Sequence, residues 1–326
     1  MACKNLSREE LGDILSKFLY SIDFYMPSFD YDFSLEETVM AHFEVQPWPE
    51  AHGKKAVKMA KWMSTGVGMC YSFADRESQV AYGIYAVYVL LIDDITRDLG
   101  SSMDCFATNL VLGIPQESAV LQSLVNWLGG SSTYQGPFAT AMSIKSVIEF
   151  IRGCIMERDF DGNIVLPRGA ITFPEYFRSK TGIAEPFTHF CFPEALYPES
   201  EYLHMYLPAL QDICDYINYT NDILSLYKES VVGEERLTYI LNYAHTHDLS
   251  LTDALRQVCE NVVQNVLNIR TIFADSPQLQ KTTEEFFRGY VAWYLNQARY
   301  RLGEIPIAKA NGQQYKLTAT TPSLKE

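Results

Sequence analysis

Apolar residues recur at intervals of three and four along most of the chain. This spacing places them on one face of a helix with about 3.6 residues per turn, so it predicts α-helices. A β-sheet would show alternating apolar and polar positions, and no convincing series of alternating segments is present. The helical patterns cover residues 7–22, 55–73, 77–98, 137–160, 201–230, 250–274 and 276–305.

Gly, Pro, Asn and Asp interrupt these patterns, and such residues favour loops. The predicted loops are residues 27–34, 44–53, 129–136 and 159–173. Ser250 with Asp253, and Ser276 with Pro277, have the residue types of helix N-termini. We therefore predict one all-α domain over residues 1–326, with a polar, fraying C-terminal tail over about residues 307–326.

Composition narrows the class of protein. Of the 326 residues, 48% are apolar and 13% aromatic, which excludes a disordered chain and is typical of a large core or an aromatic cavity. The formal net charge is -14 and no cluster of Lys and Arg is present, so we expect no nucleic-acid partner. An acidic protein that binds an anionic substrate needs metal ions or a few well-placed cations.

Cysteines and apolar runs indicate the compartment. The seven Cys are scattered without a CxxC pair, so we expect neither a disulfide framework nor a zinc site. The first 20 residues lack the apolar core of a signal peptide, and the longest apolar run, residues 84–92, is too short to span a bilayer. The expectation is a soluble, cytoplasmic protein.

Three aspartates follow a long apolar helix. Asp93, Asp94 and Asp98 lie at its C-terminal end, where the helix dipole disfavours carboxylates by roughly 0.3–1 kcal/mol each. Two interpretations are open. The carboxylates could be solvated and pair with Arg97, or they could bind a hard divalent cation such as Mg²⁺.

A second polar group lies within apolar sequence. Asn221, Ser225 and Glu229 are four residues apart and drift by only about 40° per step, so they share one helix face. Asp222 points about 100° away, which favours a structural role. A solvent-facing polar stripe is the alternative, but the neighbouring residues are apolar and a buried unpaired carboxylate is costly. Amide, hydroxyl and carboxylate oxygens suit Mg²⁺.

Together these motifs resemble a known family. The three aspartates are similar to the aspartate-rich motif of class I terpene synthases, and residues 221–229 match every defining position of their second metal motif, (N/D)DxxSxxxE. LIDDITRD, YFRSKTGI, NDILSLYKE and FFRGYVAWYLNQARYRLGEI resemble fungal sesquiterpene cyclases of the trichodiene synthase type, from about Met69 to Ile305. The resemblance implies a single-domain helical bundle around a central apolar active-site cavity.

The resemblance also implies a set of metal ligands. Members of that family hold an isoprenoid diphosphate with three Mg²⁺ ions. Asp93 would bridge two of these ions, and Asp94 would support that site through hydrogen bonds. The remaining ion would be held by Asn221, Ser225 and Glu229.

Matching positions give the other site residues. The implied diphosphate contacts are Arg178, Lys228, Arg299 and Tyr300. Each of them, taken singly, could equally be an ordinary surface or core residue. Tyr88 and Trp293 are candidate cavity aromatics that could stabilise a carbocation, and core packing is the alternative for both.

The activity implied by the resemblance is Mg²⁺-dependent ionisation and cyclisation of farnesyl diphosphate, with release of diphosphate. The product would be a sesquiterpene hydrocarbon or alcohol, of the trichodiene or longiborneol type, and a homodimer is implied as well. Three departures from the family pattern leave trichodiene itself unassigned. The segment after the Arg-Tyr pair is shorter than the tail of trichodiene synthases, and two residues differ. Arg97 stands where trichodiene synthases tend to carry another acid, and Thr181 stands where Asp or Asn is more usual.

Three rival interpretations remain at this point. One is an inactive relative of these cyclases that keeps the fold but has lost turnover, and the intact metal positions argue against it. A chain-elongating isoprenyl diphosphate transferase shares the metal–diphosphate chemistry. Such enzymes resemble each other in having two DDxxD motifs, whereas the second motif of this chain is NDILSLYKE, which favours cyclisation. A non-catalytic helical interaction protein could carry incidental acidic clusters, although it would not need three oxygen ligands on one helix face.

Overall fold

The computed structural model describes residues 6–160 and 166–308, and the structural statements below concern these residues. Within these ranges the chain forms α-helices joined by 3₁₀ turns and loops, without a β-strand, so the predicted all-α fold is confirmed. The α-helices are α1 Arg8–Ser21, α2 Phe33–Glu44, α3 Glu50–Cys70, α4 Arg76–Asp94, α5 Thr96–Leu99, α6 Phe106–Leu112, α7 Ala119–Gly130, α8 Pro137–Phe160, α9 Phe173–Thr181, α10 Ala184–His189, α11 Glu199–Tyr206, α12 Leu210–Leu226, α13 Tyr239–Thr246, α14 Leu251–Ile272 and α15 Pro277–Asn296.

The long helices pack against one another around a shared core. α3 packs against α2, α4 and α15, while α12 packs against α10 and α14. α4 is apolar on nearly all sides, and most of its length is buried, as expected for a helix that neighbours surround. At Gly289 of α15 an added Cβ would lie 2.0 Å from the main-chain oxygen of Met69, so α15 and α3 approach almost backbone to backbone.

Several element boundaries differ from those predicted. α2 begins at Phe33 and α3 begins at Glu50, so both extend into segments predicted as loops. The helical pattern over residues 201–230 is interrupted at Pro208, which lacks a backbone N–H, and the chain forms α11, a short 3₁₀ turn and then α12. The last pattern ends as an α-helix at Asn296, and 3₁₀ turns follow.

Helix caps and the C-terminal segment give mixed outcomes. The Ser250 side chain accepts a hydrogen bond from the Asp253 backbone N–H, as predicted, whereas Ser276 makes no side-chain capping bond. The predicted frayed tail is wrong at its start. Ile307 is buried, and the Ala308 N–H donates to Ser16 Oγ at 2.8 Å, while residues 309–326 lie outside the described residues.

In the described part of the chain, no single helix is long and apolar enough to cross a membrane. One bent pair, Arg76–Asp94 with Thr96–Met103, reaches that limit by length and composition.

Candidate active site

A cavity of about 920 Å³ opens between α3, α4, α8, α9, α12 and α15. One part of its wall is polar, formed by Asp93, Asp94, Glu157, Arg178, Asn221, Glu229 and Arg299. Another part is aromatic, formed by Trp62, Tyr71, Phe150, Phe177, Phe187, Tyr290, Trp293, Tyr294 and Tyr300. The cavity therefore offers charged groups and an apolar enclosure to the same ligand.

The C-terminal end of α4 delivers the first carboxylates. Asp93 is open to the cavity, but the surrounding protein desolvates its carboxylate, and this burial together with the neighbouring Asp94 raises the pKa of Asp93 to about 6. Asp94 lies between two cations, with Oδ2 3.1 Å from Lys55 Nζ and Oδ1 3.7 Å from Arg299 Nη2. Asp98 is more exposed and contacts His52.

The second group of oxygen donors lies where α12 gives way to a π-helical turn, Tyr227–Val231. The Val232 N–H donates to the Tyr227 carbonyl at 2.9 Å, which is the i to i+5 bond of a π turn, a feature frequent at functional sites. Ser225 is fully buried, and its Oγ donates to Glu229 Oε2 at 2.9 Å. Asn221 and Glu229 line the cavity, whereas Ser225 is not part of the lining and is joined to it through its hydrogen bond to Glu229.

Arg178 of α9 is held against α12 by three contacts. Its Nε donates to Asp222 Oδ2 at 2.8 Å, and its Nη2 donates to Asn221 Oδ1 at 2.8 Å and to the Asn218 carbonyl at 3.1 Å. Burial works against the charge of this guanidinium, but Asp222 raises the pKa of Arg178 above its usual value. Asp222 thus has the structural role expected from its position.

The remaining diphosphate candidates surround the polar wall. Lys228 lies just outside the cavity lining, with Nζ 3.0 Å from Glu235 Oε1 and 3.8 Å from Glu229 Oε1. Arg299 and Tyr300 lie on the 3₁₀ turn Ala298–Tyr300 and both line the cavity. The sequence-predicted residues of both motifs and the late Arg-Tyr pair therefore converge on one region.

Charge in this region suits a hard cation. Burial, followed by the charge of Asp93, raises the pKa of Glu157 to about 8, and burial, followed by the charge of Glu235, raises that of Glu229 to about 7. Carboxylates with raised pKa values lack sufficient positive charge nearby, and a divalent cation would supply it.

The donor set does not form a closed metal cage. Among residues 6–160 and 166–308, no three Asp, Glu, His or Cys side chains cluster closely enough to hold a metal by themselves. The oxygen donors of Asn221 and Ser225 and the carboxylates of Asp93 and Glu229 instead fit ions that also take oxygens from a bound phosphate group, as Mg²⁺ commonly does.

The two predicted cavity aromatics have different outcomes. Trp293 lines the cavity, and its indole lies flat against Gly66, where an added Cβ would be 3.0 Å from Nε1. The prediction that Tyr88 lines the cavity is wrong. Tyr88 is five residues before Asp93, about 140° around the helix from it, so it faces α2 and its hydroxyl pairs with His42 Nε2 at 2.9 Å.

Sequence patterns missed several polar residues of the site, among them Glu157 and Lys55. Glu157 is an isolated acid near the C-terminal end of α8, and Lys55 is one of several lysines on α3, so neither belongs to a recognisable motif. Only the packing of α3 against α4, and of α8 against α5, which follows α4, brings them to the aspartates. Both residues that depart from the family pattern, Arg97 and Thr181, also line the cavity.

Comparisons with known proteins agree with this geometry. The family described as trichodiene synthase (TRI5) matches residues 33–318. An (E)-beta farnesene synthase of Metarhizium brunneum is 32% identical over 96% of this chain and 95% of its own length. The trichodiene synthase of Trichoderma arundinaceum is 26% identical over 76% of this chain, and the match spans 64% of that enzyme, just under two thirds.

Solved structures share the fold at low identity. The linalool/nerolidol synthase of Streptomyces clavuligerus superposes with a TM-score of 0.63 at 14% identity, covering 83% of this chain and 99% of that one. A hedycaryol synthase in complex with nerolidol gives 0.56 at 14% identity, covering 84% and 96%. Since the family match extends over most of the chain and a relative above 30% identity covers nearly all of it, this chain belongs to the trichodiene synthase (TRI5) family.

Proposed function

We propose that this protein is a Mg²⁺-dependent sesquiterpene synthase that ionises farnesyl diphosphate, releases diphosphate and forms a sesquiterpene hydrocarbon or alcohol. The observation that carries the proposal is the single cavity in which two oxygen-rich helix ends, several cations and an aromatic wall meet. Family membership and the named activities of the relatives support the same class of reaction.

The metal ligands in this proposal are Asp93 on one side and Asn221, Ser225 and Glu229 on the other, with three Mg²⁺ ions expected from the family resemblance. When bound, the ions would offset the negative charge that grows on the leaving diphosphate. Asp94 orients the cations around Asp93, because it contacts both Lys55 and Arg299.

The chain's own cations bind the diphosphate. Arg178 presents a fixed planar guanidinium, which suits phosphate oxygens, while Lys228 supplies a point charge. Arg299 and Tyr300 contact the group from the C-terminal segment. Arg178, Lys228 and Arg299 provide the local positive charge that an otherwise acidic protein needs for an anionic substrate, and the neutral Tyr300 can add a hydrogen bond.

The aromatic wall binds the hydrocarbon chain and excludes water. Trp293, Tyr290 and Phe177 present ring surfaces to the cavity, and an aromatic face stabilises a nearby cation by about 0.5–2 kcal/mol. The wall therefore favours a carbocation over its capture by solvent.

The double substitution Asn221→Leu with Ser225→Ala tests the proposal. We expect turnover of farnesyl diphosphate to fall below detection while helical content by circular dichroism stays unchanged, because two of the oxygen donors are removed from one helix face. Asn261→Leu on α14, outside the cavity lining, is the matched control and should retain full activity. Retained activity in the double variant would contradict the assignment.

The product assay separates the rivals. Farnesyl diphosphate is incubated with and without isopentenyl diphosphate, and volatile products are resolved by gas chromatography. A longer diphosphate would identify a chain-elongating transferase, and absence of both turnover and Mg²⁺-dependent stabilisation by diphosphate would indicate an interaction protein. The same chromatogram distinguishes cyclic products from acyclic ones such as farnesene.

A homodimer remains a proposal that rests on the family resemblance. Analytical ultracentrifugation tests it by measuring the sedimentation of the protein.

A further inference from the structure

The π-helical turn that carries Lys228 and Glu229 is fastened on its far side by Tyr227. This ring is 1% exposed and does not belong to the cavity lining in the described part of the chain. Its hydroxyl donates to Glu304 Oε2 at 2.8 Å. The turn therefore has one side facing the candidate active site and another side bonded to the C-terminal segment.

Two arginines complete the contacts around the tyrosine. The guanidinium carbons of Arg8 and Arg301 lie 5.7 and 5.8 Å from the centre of the Tyr227 ring, within the range of cation–π contacts. Both also pair with Glu304: Arg301 through two nitrogens at 2.6 and 3.0 Å, and Arg8 Nη2 at 3.2 Å. We call Arg8, Tyr227, Arg301 and Glu304 the Tyr227 cluster.

The Tyr227 cluster joins three separate parts of the chain. Arg8 lies on α1 and Tyr227 on the π turn. Arg301 directly follows Tyr300, and Glu304 ends the next 3₁₀ turn, Leu302–Glu304. Arg301 has a left-handed backbone, φ 58°, which L-residues adopt at a cost. Through this bend Arg299 and Tyr300 line the cavity while Arg301 turns back to Tyr227 and Glu304.

The contacts of the cluster differ in weight. The side chains of Arg8, Arg301 and Glu304 are 54%, 46% and 34% exposed, and exposed ion pairs contribute little. The Tyr227 hydroxyl bond belongs to a buried ring, and it directly links the turn to the segment after Arg299 and Tyr300. It is therefore the contact that a test should remove.

We infer that the Tyr227 cluster is a positioning device that holds the Lys228–Glu229 turn at a fixed separation from Arg299 and Tyr300. The inference rests on the proposed function, because it assigns these two segments to one Mg²⁺–diphosphate ligand. None of the four residues belongs to the cavity lining in the described part of the chain, so they are positioning residues. Removing the bond leaves every residue proposed to bind Mg²⁺ or diphosphate unchanged. It allows the two segments a wider range of positions relative to each other.

Tyr227→Phe tests the inference, since it deletes only the hydroxyl. The probe is inorganic diphosphate titrated calorimetrically into protein with excess Mg²⁺, alongside the Mg²⁺ concentration that half-activates farnesyl diphosphate turnover. We expect the dissociation constant for diphosphate and the half-activating Mg²⁺ concentration each to rise about fivefold. This factor corresponds to the free energy of one lost hydrogen bond.

The matched control is Tyr197→Phe. Tyr197 is also 1% exposed, and its hydroxyl bonds to Thr282, outside the cavity lining. This variant loses a comparable bond and comparable thermal stability, but its diphosphate and Mg²⁺ constants should match those of the wild type. If Tyr227→Phe behaves like Tyr197→Phe, the bond is merely structural and the inference is overturned.

Glu304 provides a second route to the same bond if Tyr227→Phe folds poorly. Glu304→Gln keeps an acceptor for the hydroxyl and should stay near the wild-type constants, whereas Glu304→Ala should reproduce the Tyr227→Phe effect. Additive losses in the Tyr227→Phe/Glu304→Ala double variant would contradict the shared bond. A wild-type protein that binds no diphosphate would instead refute the proposed function, and the inference with it.

Discussion

Arg178 is the most firmly held cation of the candidate site. Its guanidinium contacts Asp222, Asn221 and a main-chain carbonyl of α12, and the Asp222 side chain is only 8% exposed. A buried charge that loses its partner is strongly destabilising, because desolvation is no longer offset. The pair with Asp222 thus fixes the orientation of Arg178 before a ligand is bound.

Asp222→Asn should destabilise the protein by about 3 kcal/mol, because it leaves the Arg178 charge without its carboxylate in a buried place. Urea unfolding of the ligand-free protein measures this loss. Asp248→Asn is the control, since its pair with Arg168 is exposed on both sides, 66% and 63%, and its removal should cost less than about 1 kcal/mol. Equal losses in the two variants would contradict the role given to the buried pair.

Helices α3 and α15 both line the cavity and are in close backbone contact at one glycine. An added Cβ at Gly289 would lie 2.0 Å from the Met69 oxygen and 2.9 Å from the Cys70 Cα, and both are backbone atoms that cannot rotate away. Met63 and Gly66 on α3 and Trp293 on α15 line the cavity next to this contact. The distance between these helices therefore sets both the packing and part of the cavity shape.

Gly289→Ala should lower the free energy of unfolding by about 1–3 kcal/mol or more, because α15 must move away from α3 to admit the methyl group. Gly53→Ala on α3 is the opposite case. No atom lies within 4 Å of its added Cβ, so the change should stabilise the helix by roughly 0.5–1 kcal/mol. Chemical denaturation measures whether the free energy of unfolding falls in Gly289→Ala and rises in Gly53→Ala. A stabilised Gly289→Ala would show that the helices are not in tight contact.

At the scale of the whole molecule, negative charge is concentrated where the substrate is proposed to bind. The chain carries 40 Asp and Glu against 26 Lys and Arg, and Asp93, Glu157 and Glu229 share one cavity. Their pKa values rise to about 6, 8 and 7, chiefly through burial. The folded protein therefore binds protons that the unfolded chain, with ordinary carboxylates, has already released.

These raised pKa values predict how the stability of the metal-free protein depends on pH. Folded-state pKa values above the unfolded ones stabilise the protein at low pH. This contribution is lost as pH rises from about 4, where ordinary carboxylates ionise in the unfolded chain, to about 8, the highest of the folded-state pKa values. The melting temperature in a chelating buffer should therefore fall across that window, and Mg²⁺ with inorganic diphosphate should reduce the fall. Glu157→Gln, which removes the group with the highest of the three pKa values, should flatten the upper part of the curve. A wild-type profile that rises with pH would contradict the charge assignment.

The sequence predicted most of the fold, because the long helices bury apolar faces with a clear three- and four-residue spacing. It also predicted the oxygen donors of Asn221, Ser225 and Glu229, which are local in sequence. It did not predict Glu157 or Lys55, whose proximity to the aspartates arises from contacts between distant helices. Tyr88 was misplaced because α4 is apolar on nearly every side, so its pattern does not indicate which face meets the cavity.

The missing side chain at position 66 has a consequence for how this enzyme could diversify. The indole of Trp293 occupies the space that a methyl group at Gly66 would fill, so even alanine there must push the ring by a few tenths of an ångström. That displacement would change the shape of the cavity around the bound hydrocarbon chain without altering any charged group. Laboratory evolution toward other sesquiterpene products should therefore include position 66, which lies outside both metal motifs.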